Sequence, residues 1–217
     1  MNKQVSNGFK LVDKRFPKAI DTLLQLLAID TSNPPGKNYG RIVDFLEPRF
    51  KAIGFETERI IVPRSYLAKI PNKIRGKRVN LIARKNLGKE PVTIYAHLDT
   101  VPAGGNWTFN PRGEIANGKI YGRGTSDVKG SIASLITALE IMSQLKIEQA
   151  FDIAVVLCTD EEIGGYPGVL HLAKQGHIPR EGHVLCLEGT QDPKILLCAA
   201  GSIDITITAS GKSAHTG

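Results

Sequence analysis

Short apolar runs rich in β-branched residues recur along the chain and predict buried strands. A clear case is the run VTIYA at residues 92–96, which is followed at once by a histidine and an aspartate. By this criterion we predict strands at 56–62, 79–85, 91–97, 151–158 and 183–187.

Apolar residues at helical spacing separate these runs and predict helices. The predicted helices extend from Pro17 to Ile29, from Tyr39 to Ile53, from Val128 to Met142 and from Pro167 to Lys174. Pro48 lies inside the second of them and is expected to kink or break it. Strands that alternate with helices in this way predict an α/β fold with a largely parallel sheet flanked by helices.

The pattern changes after Glu188. Residues 195–210 are rich in strand formers, and 202–208 alternate between polar and apolar side chains. Such alternation is typical of a half-exposed strand, unlike the buried strands before it. We therefore predict one domain over residues 1–199 and the start of a second domain over residues 200–217.

Length and composition limit the size of the core and indicate the cellular location of the protein. With 217 residues, of which 41% are hydrophobic, the chain can bury one good core or two small ones. The N-terminus lacks the apolar stretch of a signal peptide, and no run approaches the roughly 20 apolar residues of a membrane span. Cys158, Cys186 and Cys198 lie in apolar runs and are expected to be buried and reduced. We therefore expect a cytoplasmic protein with no membrane partner.

The net charge of +7 is concentrated in one segment. Nine Lys or Arg residues and no acid lie between Arg64 and Lys89. Because Tyr66 is the only aromatic residue among them, we interpret the segment as a solvated face and expect no nucleic-acid partner. Attraction of an anionic substrate is an alternative.

Acidic residues follow the ends of several predicted strands. His97 and Asp99 follow the run VTIYA, and Glu188 follows the strand at 183–187. The strand at 151–158 is followed by three acids, Asp160, Glu161 and Glu162, while Asp127 precedes a predicted helix. Sites in open α/β sheets form at the carboxyl ends of strands, so these groups are expected to converge.

Converging carboxylates would repel one another unless a cation is present. A divalent metal ion is the simplest such cation, because it binds carboxylate and imidazole together. Each residue also has a plainer interpretation. Asp127 could cap a helix, Glu161, Glu162 and Glu188 could be solvated acids, and His97 could be a core residue.

Five segments, in order, resemble the dinuclear zinc amidohydrolases, a family that includes acetylornithine deacetylase, succinyl-diaminopimelate desuccinylase, aminoacylase and carboxypeptidase G. These segments are HLDTVP, NGKIYGRGTSDVKG, TDEEIGG, LEGT and SGKSAHTG. The resemblance implies hydrolysis of an amide bond in an N-acyl amino acid or small peptide. It also implies two divalent metal ions, Zn²⁺ or alternatively Co²⁺, and a homodimer. Residues 1–199 would be the N-terminal part of a zinc-peptidase-like catalytic domain, and 200–217 would begin an α+β lid and dimerisation domain.

The resemblance also implies a role for each matching residue. His97 and Glu188 would bind the first metal, Glu162 the second, and Asp127 would bridge the two. Asp99 would hold the other ring nitrogen of His97. Glu161 would be the general base that takes a proton from the attacking water. His215 would reach the site of the neighbouring subunit and stabilise the oxyanion.

The chain departs from the family in its length. Members of the family are considerably longer, and their last metal ligand, a histidine near the C-terminus, has no counterpart here. We therefore expect a fragment of a longer protein or a truncated product with impaired activity. A related dinuclear zinc aminopeptidase and a non-catalytic remnant of the family are the alternatives. The SGKSAHTG segment argues against the aminopeptidase.

Overall fold

The computed structural model describes residues 3–70, 74, 76–188, 197, 207, 208, 210 and 211, with side chains from residue 6 onward. Its helices are α1 (Lys3–Ala28), α2 (Tyr39–Ala52), α3 (Arg64–Leu67), α4 (Gly130–Gln144) and α5 (Val169–Lys174). Its strands are β1 (Glu56–Ile61), β2 (Val79–Lys85), β3 (Pro91–His97), β4 (Glu114–Ala116), β5 (Lys119–Tyr121), β6 (Asp152–Cys158) and β7 (His183–Cys186).

The main sheet has the strand order β1-β2-β6-β3-β7, and β4 and β5 form a separate antiparallel pair. Strand β3 pairs in parallel with both β6 and β7. Strand β2 is antiparallel to both of its neighbours, β1 and β6. All strands of this sheet except β2 therefore point in one direction. The predicted α/β fold with a largely parallel sheet flanked by helices is confirmed.

The core lies on both faces of β6. On one face, Val155 and Leu157 pack in a cluster with buried residues of α1, α2 and α4. On the other face, Val156 and Cys158 pack with Leu172 of α5. Because both faces of the strand are covered, β6 has the continuous apolar sequence from which it was predicted.

The predicted elements differ from the observed ones in several respects, and the short elements α3, β4 and β5 were not predicted. Helix α1 begins well before Pro17. Helix α2 continues through Pro48 to Ala52, so a break at Pro48 is wrong and a kink there stays a prediction. The apolar face of α2 explains its continuity, because Ile42, Leu46 and Phe50 are fully buried and hold both halves of the helix on the sheet.

The cysteines also differ from expectation. Cys158 is buried and free, as predicted, but Cys186 is exposed. The reason is that β7 lies at the edge of the described sheet, where all four of its residues are exposed. Cys198 and almost all of the segment 195–210 lie outside the described residues, so the domain boundary near residue 200 stays a prediction.

Among the parts of the chain that the structure describes, no helix has both the length and the apolar character needed to cross a bilayer.

The central position of β6 leads to a stability prediction. Leu157 is fully buried and pairs with Leu81 on one side and Ala96 on the other. Leu157→Ala should lower the free energy of unfolding by about 2–5 kcal/mol, because it removes apolar contacts and leaves a cavity. Urea denaturation measures this, with Leu87→Ala at an exposed position as the control, expected to change stability by less than about 0.5 kcal/mol. Equal effects of the two substitutions would contradict the packing described here.

Candidate metal and catalytic site

The ends of three parallel strands bring the predicted site residues to one edge of the sheet. His97 at the end of β3 lies opposite Cys158 at the end of β6. The pairing continues past the strands, since the Leu98 amide donates to the Cys158 carbonyl at 2.7 Å. On the other side of β3, the Leu187 amide donates to the Tyr95 carbonyl at 2.9 Å. The residues that follow each strand therefore emerge side by side.

His97 is the buried centre of this edge, with an exposure of 0%. Its Nδ1 lies 3.0 Å from the backbone carbonyl oxygen of Asp99 and 3.5 Å from the Asp99 carboxylate. The carbonyl, rather than the expected carboxylate, is thus the nearer partner. The other ring nitrogen, Nε2, lies 2.8 Å from Asp127 Oδ1 and 3.7 Å from Glu188 Oε2.

His97, Asp127 and Glu188 form a compact group of possible metal ligands. One ligand atom from each residue lies within 4.8 Å of the other two. The imidazole is buried, whereas both carboxylates are exposed and accessible. This donor set matches the ligands that zinc and similar divalent ions take in proteins.

Asp127 reaches the site from the loop before α4. Its backbone is not helical, and α4 has no side-chain cap, so the helix-cap interpretation of Asp127 does not describe its contacts. Two residues later, the Lys129 ammonium is buried and donates to the carbonyls of Leu26 and Ile29 at 3.0 and 2.8 Å. This attachment fixes the loop against the C-terminal end of α1.

Glu161 and Glu162 lie in a short 3₁₀ turn after β6. The Asp99 carboxylate accepts both of their backbone amides, each at 3.2 Å. Asp99 therefore holds this turn against the end of β3. The Glu162 side chain accepts the Val101 amide at 3.1 Å, and its carboxylate is not part of the three-residue group around His97.

The electrostatics of the site follow from burial and from the concentration of acids. Burial raises the pKa of Glu161, Glu162 and Glu188, and neighbouring carboxylates add to this, while His97 opposes it. Burial alone would lower the pKa of His97, but Asp99, Glu188 and Asp127 outweigh it and raise the pKa to about 10. The site therefore favours binding of positive charge.

Asp160 has a different role from the other acids of the edge. Its side chain is fully buried and paired with the Arg78 guanidinium, whose Nε lies 2.7 Å from Oδ2. Oδ1 accepts from the Tyr39 hydroxyl and from Asn33 Nδ2, both at 2.6 Å. Burial raises the pKa of Asp160, and the hydrogen bonds from Arg78 and Tyr39 oppose this shift. Asp160 thus does not contribute an open carboxylate to the rim.

The contacts of Asp160 also correct the interpretation of the basic segment. Arg78 is one of the basic residues between Arg64 and Lys89, and it is buried rather than solvated. Asn33, Tyr39 and Arg78 adjoin the site through Asp160, and none of them was predicted there from the sequence. The available signal was the position of Arg78 immediately before the buried strand β2, where a side chain can turn inward. His215 lies outside the described residues, so its role stays a prediction.

Comparison with protein families gives a match over the segment that contains these residues. The family model described as "Peptidase family M20/M25/M40" matches residues 93–213, which is more than half of the chain. The chain belongs to the M20/M25/M40 peptidase family. The relationship to the family that includes succinyl-diaminopimelate desuccinylase and acetylornithine deacetylase, which five short segments predicted, is confirmed.

Individual relatives of this M20/M25/M40 chain agree with that assignment. A probable succinyl-diaminopimelate desuccinylase of Staphylococcus epidermidis is 32% identical over 148 residues, which are 66% of this chain and 36% of the relative. An acetylornithine deacetylase of Myxococcus xanthus is 32% identical over 177 residues, which are 78% of this chain and 41% of the relative. The chain thus spans well under two thirds of the length of these relatives. Their names do not favour the aminopeptidase alternative.

A solved structure gives the same fold. The M20 family metallo-carboxypeptidase Sso-CP2 from Sulfolobus solfataricus matches with a TM-score of 0.65 at 20% identity. The match covers 81% of this chain and 38% of that one. At this level of identity the likeness concerns the fold, and it agrees with the sheet and helices described above.

Proposed function

We propose that this M20/M25/M40 chain carries the metal-binding and water-activating part of an amide hydrolase. The observation that supports this most directly is the group of His97, Asp127 and Glu188 beside the turn that contains Glu161 and Glu162. The proposed substrate is an N-acyl amino acid or a small peptide. This class is supported by the names of the relatives, a desuccinylase and a deacetylase.

The residues present fit a divalent metal centre. A buried imidazole directs one nitrogen at two exposed carboxylates, and burial together with the surrounding acids raises the pKa of Glu188. We propose two ions, Zn²⁺ or alternatively Co²⁺, held by His97, Asp127, Glu162 and Glu188. Ions bound there would neutralise the carboxylates and polarise both a water molecule and an amide carbonyl.

Glu161 is the proposed general base. Its backbone is fixed by the Asp99 carboxylate, and its own carboxylate is only partly buried, so it can face a water molecule in the site. Burial and the neighbouring acids raise its pKa and make it a better proton acceptor than a solvated carboxylate. Glu161 would take a proton from the attacking water and deliver it to the leaving amine nitrogen.

Asp99 is proposed to position both catalytic partners. Its backbone carbonyl faces Nδ1 of His97, which leaves Nε2 directed at the carboxylates. Its carboxylate holds the amides of Glu161 and Glu162. One residue thus fixes the proposed ligand and the proposed base relative to each other.

The remaining parts of the proposal rest on the family resemblance and the composition. They are stabilisation of the oxyanion by His215, a homodimer in which this histidine reaches the neighbouring site, and a cytoplasmic location.

Metal binding can be tested by zinc titration of the metal-free protein in a calorimeter. His97→Ala and Asp127→Ala should each weaken zinc binding at least tenfold, because each removes a donor from a compact group. His183→Ala and Asp44→Ala, at exposed positions away from the site, are the matched controls and should leave the affinity unchanged. If neither site substitution alters zinc affinity, the proposed metal centre is wrong.

Proton transfer can be tested separately with Glu161→Gln. The amide has nearly the same shape but cannot accept a proton, so zinc binding should persist while turnover falls by about 10²–10⁴-fold. Hydrolysis of N-acetylornithine, N-succinyl-diaminopimelate and simple N-acyl amino acids, with zinc or cobalt added, measures the loss. Glu148→Gln, at an exposed position, is the control. Near-normal turnover in Glu161→Gln would assign the base elsewhere, with Glu162 the first residue to examine.

A further inference from the structure

The ion pair between Arg78 and Asp160 is buried almost completely. Arg78 is 1% exposed and Asp160 is 0% exposed as side chains, and their closest atoms are 2.7 Å apart. Removing two charges from water is costly, and an apolar pair of similar size is often at least as stable. Overall stability is therefore a weak explanation for this pair, and its location suggests another.

Asp160 directly precedes the turn that carries the proposed base and one proposed ligand. Its backbone has a φ of 60°, in the left-handed region that non-glycine residues rarely adopt. Its carbonyl accepts the Gly165 amide at 2.7 Å, which closes the turn. The three donors to its side chain hold this backbone conformation in place.

Asn33 connects the two acids that hold the turn. Its Nδ2 lies 2.6 Å from Asp160 Oδ1 and 3.2 Å from Asp99 Oδ2. Asp99 in turn accepts the amides of Glu161 and Glu162. The turn is thus fixed from both sides, by Asp160 through its backbone and by Asp99 through hydrogen bonds.

Arg78 is itself enclosed by the loop that contains Asn33. Its Nη2 donates to the Pro35 carbonyl at 2.8 Å, and its guanidinium lies 5.6 Å from the centre of the Tyr39 ring. Gly36 adopts a φ of 84°, and a Cβ at this position would lie only 2.5 Å from Arg78 Nη2. The loop is therefore shaped around the guanidinium and keeps it directed at Asp160.

We infer that Arg78 and Tyr39 are positioning residues for the turn of Glu161 and Glu162. They act through Asp160 and hold the proposed base and ligand at the end of β6. Both lie outside residues 93–213, the segment that matches the family model. The inference deepens the proposed function and rests on it for the roles of Glu161 and Glu162. The structural part, that Arg78 and Tyr39 order the turn, stands on the contacts alone.

Amide hydrogen exchange tests the structural part without any metal or substrate. Arg78→Met should speed exchange at the Glu161 and Glu162 amides by about tenfold or more, since local opening of the turn becomes easier. The matched control is Arg84→Met, because Arg84 lies on β2, the strand that directly follows Arg78, but contacts Glu58 and the His177 carbonyl. The control should change exchange at these two amides by less than about threefold.

Two further variants keep the test decisive if Arg78→Met does not fold. Tyr39→Phe removes a single hydroxyl and should speed exchange at the same amides by about threefold or more. Arg78→Met combined with Asp160→Asn removes both charges together. This double variant should fold, but its Glu161 and Glu162 amides should still exchange faster than in the unsubstituted protein. Arg78→Lys keeps the positive charge but lacks the planar guanidinium. Exchange at the Glu161 and Glu162 amides should therefore be slower than in Arg78→Met and faster than in the unsubstituted protein.

Activity gives the second measurement. In the zinc-loaded protein, Tyr39→Phe and Arg78→Lys should lower kcat about tenfold or more with KM changed less than about threefold, because positioning acts on the transition state. The ligand-field spectrum of the cobalt-loaded protein should change in Arg78→Lys and not in Arg84→Met.

The outcomes separate the inference from the proposed function. Exchange at Glu161 and Glu162 that is the same in Arg78→Met, or in Tyr39→Phe, as in Arg84→Met overturns the inference, whatever the metal content. A protein that binds neither zinc nor cobalt overturns the proposed function, while the exchange rates still decide whether Arg78 and Tyr39 order the turn. Faster exchange at Glu161 and Glu162 in Tyr39→Phe and Arg78→Lys, with kcat unchanged in both, would overturn the positioning role of Arg78 and Tyr39.

Discussion

The parallel pairing of β3 with β6 is the constraint on which the site depends. It places the last residue of β3 opposite the last residue of β6, so the segments that follow the two strands leave the sheet together. A shift of one residue in this register would turn the His97 side chain to the other face and separate it from Asp127. The core packed on both faces of β6 prevents such a shift, since Val155 and Val156 are matched to different clusters.

Carboxylates of one small region have different roles because their surroundings differ. Asp99 and Asp160 are fully buried, and their carboxylates accept hydrogen bonds from neighbouring protein groups. They therefore hold the fold together and do not face a ligand. Glu161 and Glu188 are less buried and have no comparable set of donors among their described contacts, so their charge is open to a ligand. The sequence shows the same residue types in both cases.

The sequence was sufficient to predict the class of the fold and that several acidic residues and His97 converge at one edge of the sheet. Strand ends could be read from apolar runs, and His97, Asp127 and Glu188 lie together as their positions implied. It could not predict that Arg78 is buried, because periodicity does not distinguish this residue from its solvated basic neighbours. The continuity of α2 through Pro48 was also missed, because tertiary packing overrode a local breaker. The exposure of Cys186 depends on the place of β7 at the sheet edge, which the sequence of β7 does not encode.

Lys129 joins the loop of Asp127 to the end of α1 and so connects two distant parts of the chain. Its buried ammonium satisfies carbonyls at the C-terminal end of that helix, where the helix dipole favours a cation. Fraying of α1 would withdraw these acceptors and leave the buried Lys129 amine, whose pKa burial already lowers to about 7, without hydrogen-bond partners. We therefore expect local unfolding of the N-terminal helix to displace Asp127, although the two are about 100 residues apart in sequence. Resistance of α1 to local unfolding is thus a property of the site as well as of the fold.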